Sequence, residues 1–178
     1  MTPPDEFAEF AAAISARLRR TAFLLCGDWH TAEDLAQTTL TKLFVRWRRI
    51  QRRDEAQAYA MRTLLNTYLA DRRRKRNGEL LTAQLPERPL ADQAPEVRIM
   101  VFDALAALPP RARAVVVLRY WADMSVEQVA DLLGCSVGNV KSQSARGLEK
   151  LRPLLGDAAA DLGLSHDTAV QQRETRNA

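Results

Sequence analysis

The residues best spaced for chemistry lie between Ser125 and Leu151. Ser125 and Gln128 are three apart, which is capping-box spacing, and Val126, Val129, Ala130 and Leu133 stripe a short helix that Gly134 would terminate. Ser136 can cap a second helix. On that helix Val137, Val140, Ser144, Leu148 and Leu151 fall within one arc at about 100° per residue and are expected to pack inward. Asn139, Ser142, Gln143 and Arg146 lie on the opposite side, with Lys141 at its flank. A short helix, a tight turn and a second helix with a polar, basic outer face describe a helix-turn-helix. Arginine and lysine can bond guanine edges, asparagine and glutamine can bond adenine, and serine and lysine can hold phosphates, so the pattern points to duplex DNA. Arg146 is the leading candidate for a base or phosphate contact.

A second set of chemistry-bearing residues is basic. Arg46-Trp-Arg-Arg-Ile-Gln-Arg-Arg53 and Arg72-Arg-Arg-Lys-Arg76 can each neutralise several phosphates. Trp47, Tyr59 and Tyr68 lie among them, and aromatic faces beside positive charge suit unstacked single-stranded bases. Trp47 and Tyr68 also sit in register with the apolar faces of their helices, which reads them as core. Other chemistry is missing. His30 and His166 are too few and too scattered for a metal site or a triad, which argues against an enzyme and against any metal or cofactor. Cys26 and Cys135 belong to no Cys-x-x-Cys pair and read as small buried apolar residues.

Charge is unevenly spread over the 178 residues: net +6 in residues 1–76, −2 in 77–95, +2 in 96–155 and −2 in 156–178. Two basic modules facing polyanions, a linker and a tail account for that distribution. No apolar run approaches the roughly 18 residues that span a bilayer, and the acidic start (Asp5, Glu6, Glu9) does not resemble a signal peptide, so a cytoplasmic location is expected.

The elements that must position these residues all have helical spacing, which predicts an all-α fold of two small helical domains. Phe7, Phe10, Ile14, Leu18 and Leu25 predict a helix from about Pro4 to Cys26, ended by Gly27-Asp28. Thr31 and Asp34 are spaced like a capping box, and Ala32, Leu35, Ala36, Thr39, Leu43 and Trp47 form one face of a second helix. A third helix carries Ala58, Met61, Leu64, Leu65, Tyr68 and Leu69 into the basic run. From Asn77 to about Pro95 prolines and polar residues dissolve the pattern, which reads as a flexible linker. Val97 to Leu108 restarts it, and Pro110 suits the first position of a helix over Arg111 to Ala122. Past Gly156 the chain reads as a frayed tail.

Asp34-Leu-Ala-Gln37 ahead of Lys42-Leu-Phe-Val-Arg-Trp47, with Arg62-Thr-Leu-Leu-Asn66 and Asp71 before the basic run, resembles region two of bacterial sigma factors. Leu108-Pro-Pro-Arg-Ala-Arg-Ala-Val-Val-Val-Leu-Arg119 leading into the helix-turn-helix resembles region four. Two regions with nothing recognisable between them match the extracytoplasmic-function group, and Val140-Lys-Ser-Gln-Ser-Ala-Arg146 is similar to a subgroup common in actinomycetes. The resemblance implies that Asp34, Leu35 and Gln37 dock on the clamp helices of the largest subunit of core RNA polymerase. It implies that Asn66 reads a flipped base of the single-stranded minus-ten element, with Arg62, Arg72, Arg73, Arg74 and Arg76 on the backbone. It implies further that Asn139, Lys141, Ser142, Gln143, Ala145 and Arg146 meet the double-stranded minus-thirty-five element. Gln143 and Ala145 stand where many relatives have arginine and then histidine, phenylalanine or tyrosine, so fewer phosphate and stacking contacts are expected. Many family members are covered on these surfaces by an anti-sigma factor. The rival reading is a helix-turn-helix repressor or response-regulator output protein, which would need a ligand pocket or a phosphoacceptor carboxylate cluster in the N-terminal half.

Overall fold

The computed structural model describes residues 3–50, 52–76 and 95–156. Those residues are predominantly helical, with short turns between the helices, and contain no strand. The expected linker, but for Pro95, and the expected tail beyond Gly156 lie outside the described residues. The chain divides into two compact units, Met1–Arg88 with Ala130–Gly134, and Pro89–Val129 with Cys135–Ala178.

Three helices build the first unit: α1 (Pro3–Cys26), α2 (Trp29–Arg46) and α3 (Arg53–Arg76), with a single 3₁₀ turn at Trp47–Arg49. The joint between α1 and α2 follows from two residues. Gly27 takes φ +77°, a conformation that costs a residue with a Cβ, and its N–H donates to Phe23 O at 2.7 Å. Asp28 then caps α2, its carboxylate accepting from the amides of His30 (3.2 Å) and Thr31 (2.9 Å) and from the Thr31 hydroxyl (2.5 Å). The cap is therefore Asp28, and the Thr31–Asp34 spacing is not a capping box: both residues are already inside the helix.

Phe10, Ile14, Leu18 and Leu25 of α1, Leu35, Ala36 and Leu43 of α2, and Ala60, Met61, Leu64, Leu65 and Tyr68 of α3 form the core. Ala58, expected on the buried stripe of α3, is exposed, and Ala56 and Ala60 take its place. Thr39 is buried without cost because its hydroxyl donates to Leu35 O at 2.7 Å. Trp47 leaves the α2 helix and is half-buried against Phe7 and Phe10, ring centroids 5.3 and 5.1 Å away.

The second unit is built on α4 (Pro95–Ala106), α5 (Pro110–Val116) and α7 (Val137–Leu155), and α6 (Val126–Leu133) runs between α5 and α7 in sequence. Pro110 occupies the first turn of α5 as expected. The expected single helix to Ala122 widens at Val117–Trp121 into a π turn, in which Ala122 N–H donates to Val117 O and Met124 N–H to Leu118 O. Arg119 donates to Met124 O and closes this turn. Arg113 is buried, and its guanidinium donates to Ala106 O (2.9 Å), the last carbonyl of α4, and to Leu108 O (3.4 Å) in the turn beyond it, where Pro109 and Pro110 offer no donor. Neither cysteine is fully buried, contrary to expectation. Cys26 ends α1 and Cys135 lies in the turn before α7, and helix ends leave one side of a residue uncovered.

Candidate nucleic-acid and polymerase interfaces

The helix-turn-helix forms by reciprocal capping. Ser125 N–H donates to Gln128 Oε1 (2.8 Å) and Gln128 N–H to Ser125 Oγ (3.1 Å), which is the expected capping box of α6. Gly134 at φ +60° ends α6, and Ser136 Oγ accepts from Asn139 N–H at 3.2 Å to start α7. Val140, Ser144, Gly147, Leu151 and Leu155 are the buried side of α7. Gly147 is required there: a Cβ at this position would lie 2.5 Å from Val116 Cγ2, so α5 and α7 pack closer than any side chain at 147 allows. Val137, expected inward, is 37% exposed because α7 meets the body of the unit only from Val140 onward.

The opposite side carries Asn139, Lys141, Ser142, Ala145 and Arg146, all exposed. Gln143 is the exception. It is half-buried, and its side-chain amide donates to Asn139 Oδ1 one turn back, so the two amides are paired along the helix. The α6 start adds a charge of the other sign. Glu127 is held below the ordinary carboxylate value, first by its own amide and the Ser125 hydroxyl, and then by the positive charges of Arg119 and Lys141.

On α3, Arg62 and Asn66 are exposed one turn apart. Arg73 falls within about 40° of both on the helix surface, so these three form one stripe roughly 16 Å long. Arg74 is exposed about 80–120° away from the three, Arg72 is half-buried, and the Arg76 side chain lies outside the described residues. The aromatics interleaved with this basic surface serve the fold: Tyr68 is 1% exposed, and Tyr59 is half-buried with the Arg46 guanidinium 5.7 Å above its ring.

On α2, Asp34 and Gln37 are both exposed and share a face. Leu35 does not join them: at 5% exposure it belongs to the core, because one residue along a helix turns the side chain by about 100°. Sequence reasoning missed two features of this face. His30 Nδ1 stands 3.2 Å from Asp34 Oδ2. Val45, 78% exposed, lies about 20° from Asp34 around the helix, and Phe44, 53% exposed, borders it. The apolar pair continues the polar face toward the C-terminal end of α2. Only exposure distinguishes these residues from core ones, and composition could not have found them.

The described residues contain no group of three His, Cys, Asp or Glu arranged to hold a metal ion, and no helix long and apolar enough to cross a membrane.

The family model for sigma-70 region 2 matches residues 11–78, and that for sigma-70 region 4 matches residues 98–151. These matches cover the helices carrying the surfaces just described, and they define a protein of the sigma-70 class. An RNA polymerase sigma-E factor from Streptomyces coelicolor is 39% identical over 173 residues, 96% of this chain and 94% of that protein. The ECF RNA polymerase sigma factor SigE of Mycolicibacterium smegmatis is 32% identical over 84% of this chain and 61% of its own length. A sigma factor RpoE from Bartonella quintana, solved in complex with the anti-sigma factor NepR, superposes with TM-score 0.73 at 24% identity, over 85% of this chain and 98% of that one. The chain belongs to the extracytoplasmic-function sigma factors of RNA polymerase, a family not known to be enzymatic, and functions in transcription initiation.

Proposed function

We propose that the two units contribute three interfaces to initiation: α2 docks on core RNA polymerase, α3 holds the opened minus-ten strand, and α7 reads the minus-thirty-five duplex. The observation that supports this best is the two-sidedness of α7. It buries Val140, Ser144, Gly147 and Leu151 and turns Asn139, Lys141, Ser142 and Arg146 to solvent. A recognition helix needs that division, since base edges are read by side chains that the fold does not use.

On α2, Asp34 and Gln37 offer hydrogen-bonding groups to the clamp helices of the largest polymerase subunit, and Val45 and Phe44 offer apolar area beside them. Leu35 supports that face from beneath and makes no contact with polymerase. On α3, Asn66 presents an amide to an extruded base while Arg62 and Arg73 neutralise the adjoining phosphates. Extrusion costs a few kcal/mol of stacking, which the cations and a fixed amide offset. Arg72 and Arg74 flank the stripe as general phosphate contacts. Gln143, tied to Asn139, orients that amide and has little left to offer a base. Ala145 leaves room for a thymine methyl or a phosphate. The protein performs no catalysis of its own, acts in the cytoplasm where polymerase works, and takes an anti-sigma factor as a further partner, as the related RpoE does with NepR.

The test is run-off transcription with purified core polymerase. The wild-type chain should direct promoter-specific initiation, and Asp34→Ala combined with Gln37→Ala should lower core affinity at least tenfold with unchanged thermal unfolding. Unchanged affinity in the double variant would remove the α2 face from the account.

A further inference from the structure

Two glycines lie within α7, at 138 and 147, and only one of them has an internal reason. Gly147 is buried, and a Cβ there would strike Val116. Gly138 is exposed, its φ lies outside the left-handed region, and a Cβ built on it would meet nothing nearer than Ser136 Oγ at 4.0 Å. Glycine within a helix is less favourable than alanine, because it surrenders more backbone freedom on folding. Capping does not explain it either, since the cap is the Ser136 hydroxyl on the Asn139 amide. The fold would therefore be better served by alanine, and whatever needs the small residue lies outside the chain.

The position says what that is. Gly138 falls within about 20° of Ala145, about 40° of Ser142 and about 60° of Lys141 around the helix, at the centre of the outward face. Ser136, Val137, Gly138 and Asn139 are four consecutive exposed residues, so the first turn of α7 projects ahead of the part that packs. The leading turn of a recognition helix is the part that meets base edges in the major groove. We infer that Gly138 is a specificity-determining residue: its missing side chain lets the first turn of α7 lie directly against the base edges of the upstream promoter duplex. Lys141 and Ser142 then reach those edges from a shorter distance than a larger residue at 138 would leave. The inference rests on the reading of α7 as the duplex-reading helix.

Holoenzyme made from core polymerase and the full chain carrying Gly138→Ala or Gly138→Val tests it. The probes are a promoter fragment whose start site the wild-type holoenzyme defines, and the same fragment with its upstream element scrambled. Gly138→Ala should lose at least tenfold of the preference for the intact fragment, and Gly138→Val more. The free chain carrying Gly138→Ala should melt higher by about 2–5 °C, because the unfolded chain loses freedom and the folded one gains no clash. An undiminished preference, an equal loss on both fragments, or a lower melting temperature for Gly138→Ala would each overturn the inference. A wild-type holoenzyme indifferent to scrambling would instead sink the reading of α7 itself, and the inference with it.

Discussion

Replacing Gly147 with alanine sets a methyl group 2.5 Å from Val116 Cγ2 and 3.9 Å from Leu108 Cδ1. Carbon atoms in contact prefer about 3.5–4.0 Å, so the pair is short by a full ångström or more. Val116 is completely buried and cannot swing into open space. Either it leaves its rotamer or α7 slides away from α5, and overpacking of this kind costs about 1–3 kcal/mol. Against that stands a gain of about 0.5–1 kcal/mol from alanine over glycine inside a helix. A net loss of about 1–2 kcal/mol is expected. Small domains hold only about 0.05–0.15 kcal/mol per residue, so this is a large share of the unit's stability. Trimming the obstacle reverses the sign of the effect. Val116→Ala alone should cost about 1.5–3 kcal/mol for its lost methyls, yet in that background Gly147→Ala fills the vacated space and should be neutral or stabilising. Native-state hydrogen exchange of the α5 and α7 amides in the full chain measures both, with the α1–α3 amides as an internal reference. Additive losses in the double variant, or a stabilised Gly147→Ala single variant, would refute the claim that close approach of α5 and α7 demands this glycine.

Arg146 is exposed on the outer face of α7, so Arg146→Ala should leave folding unchanged, cost about 1–3 kcal/mol on the matched upstream element in holoenzyme binding, and cost little on scrambled duplex. Equal losses on both would make it a phosphate contact. Partial burial pushes the Asp28 carboxyl up, but the Thr31 hydroxyl and amide, the His30 amide and the His30 charge together hold it below its usual 3.8. A depressed carboxyl stabilises the fold above its unfolded-state value and loses that contribution as pH falls through the folded-state value. Asp28→Ala should therefore cost about 0.5–2 kcal/mol at pH 7, as lost N-caps do, and the gap to wild type should narrow in thermal melts as pH falls through the depressed Asp28 value, below the ordinary 3.8.

Helix periodicity, the capping residues around Ser125 and Ser136 and the glycine stop at Gly134 are local, and local chemistry is readable from neighbours three and four residues away. That is why the helix-turn-helix and the outward placement of Lys141, Ser142 and Arg146 are legible in the sequence. Motif reading was less reliable where a motif mixes two roles. Asp34-Leu-Ala-Gln37 reads as one patch, yet Leu35 turns inward and the face continues instead through Val45 and Phe44. The Thr31–Asp34 spacing fits a capping box, but Asp28 was better placed because Gly27 had already ended α1.

What the amino-acid order determined by itself was the set of helices, their boundaries to within a few residues, and the charge that each unit presents. Those follow from dihedral preference, side-chain spacing and caps, all short-range. Tertiary structure alone decided that Arg113 lies buried at the C-terminal end of α4, and that Gly147 is held by Val116 while Gly138 is held by nothing. Such distinctions depend on which atoms of distant segments come within about 4 Å of one another, and no count along the chain contains that distance.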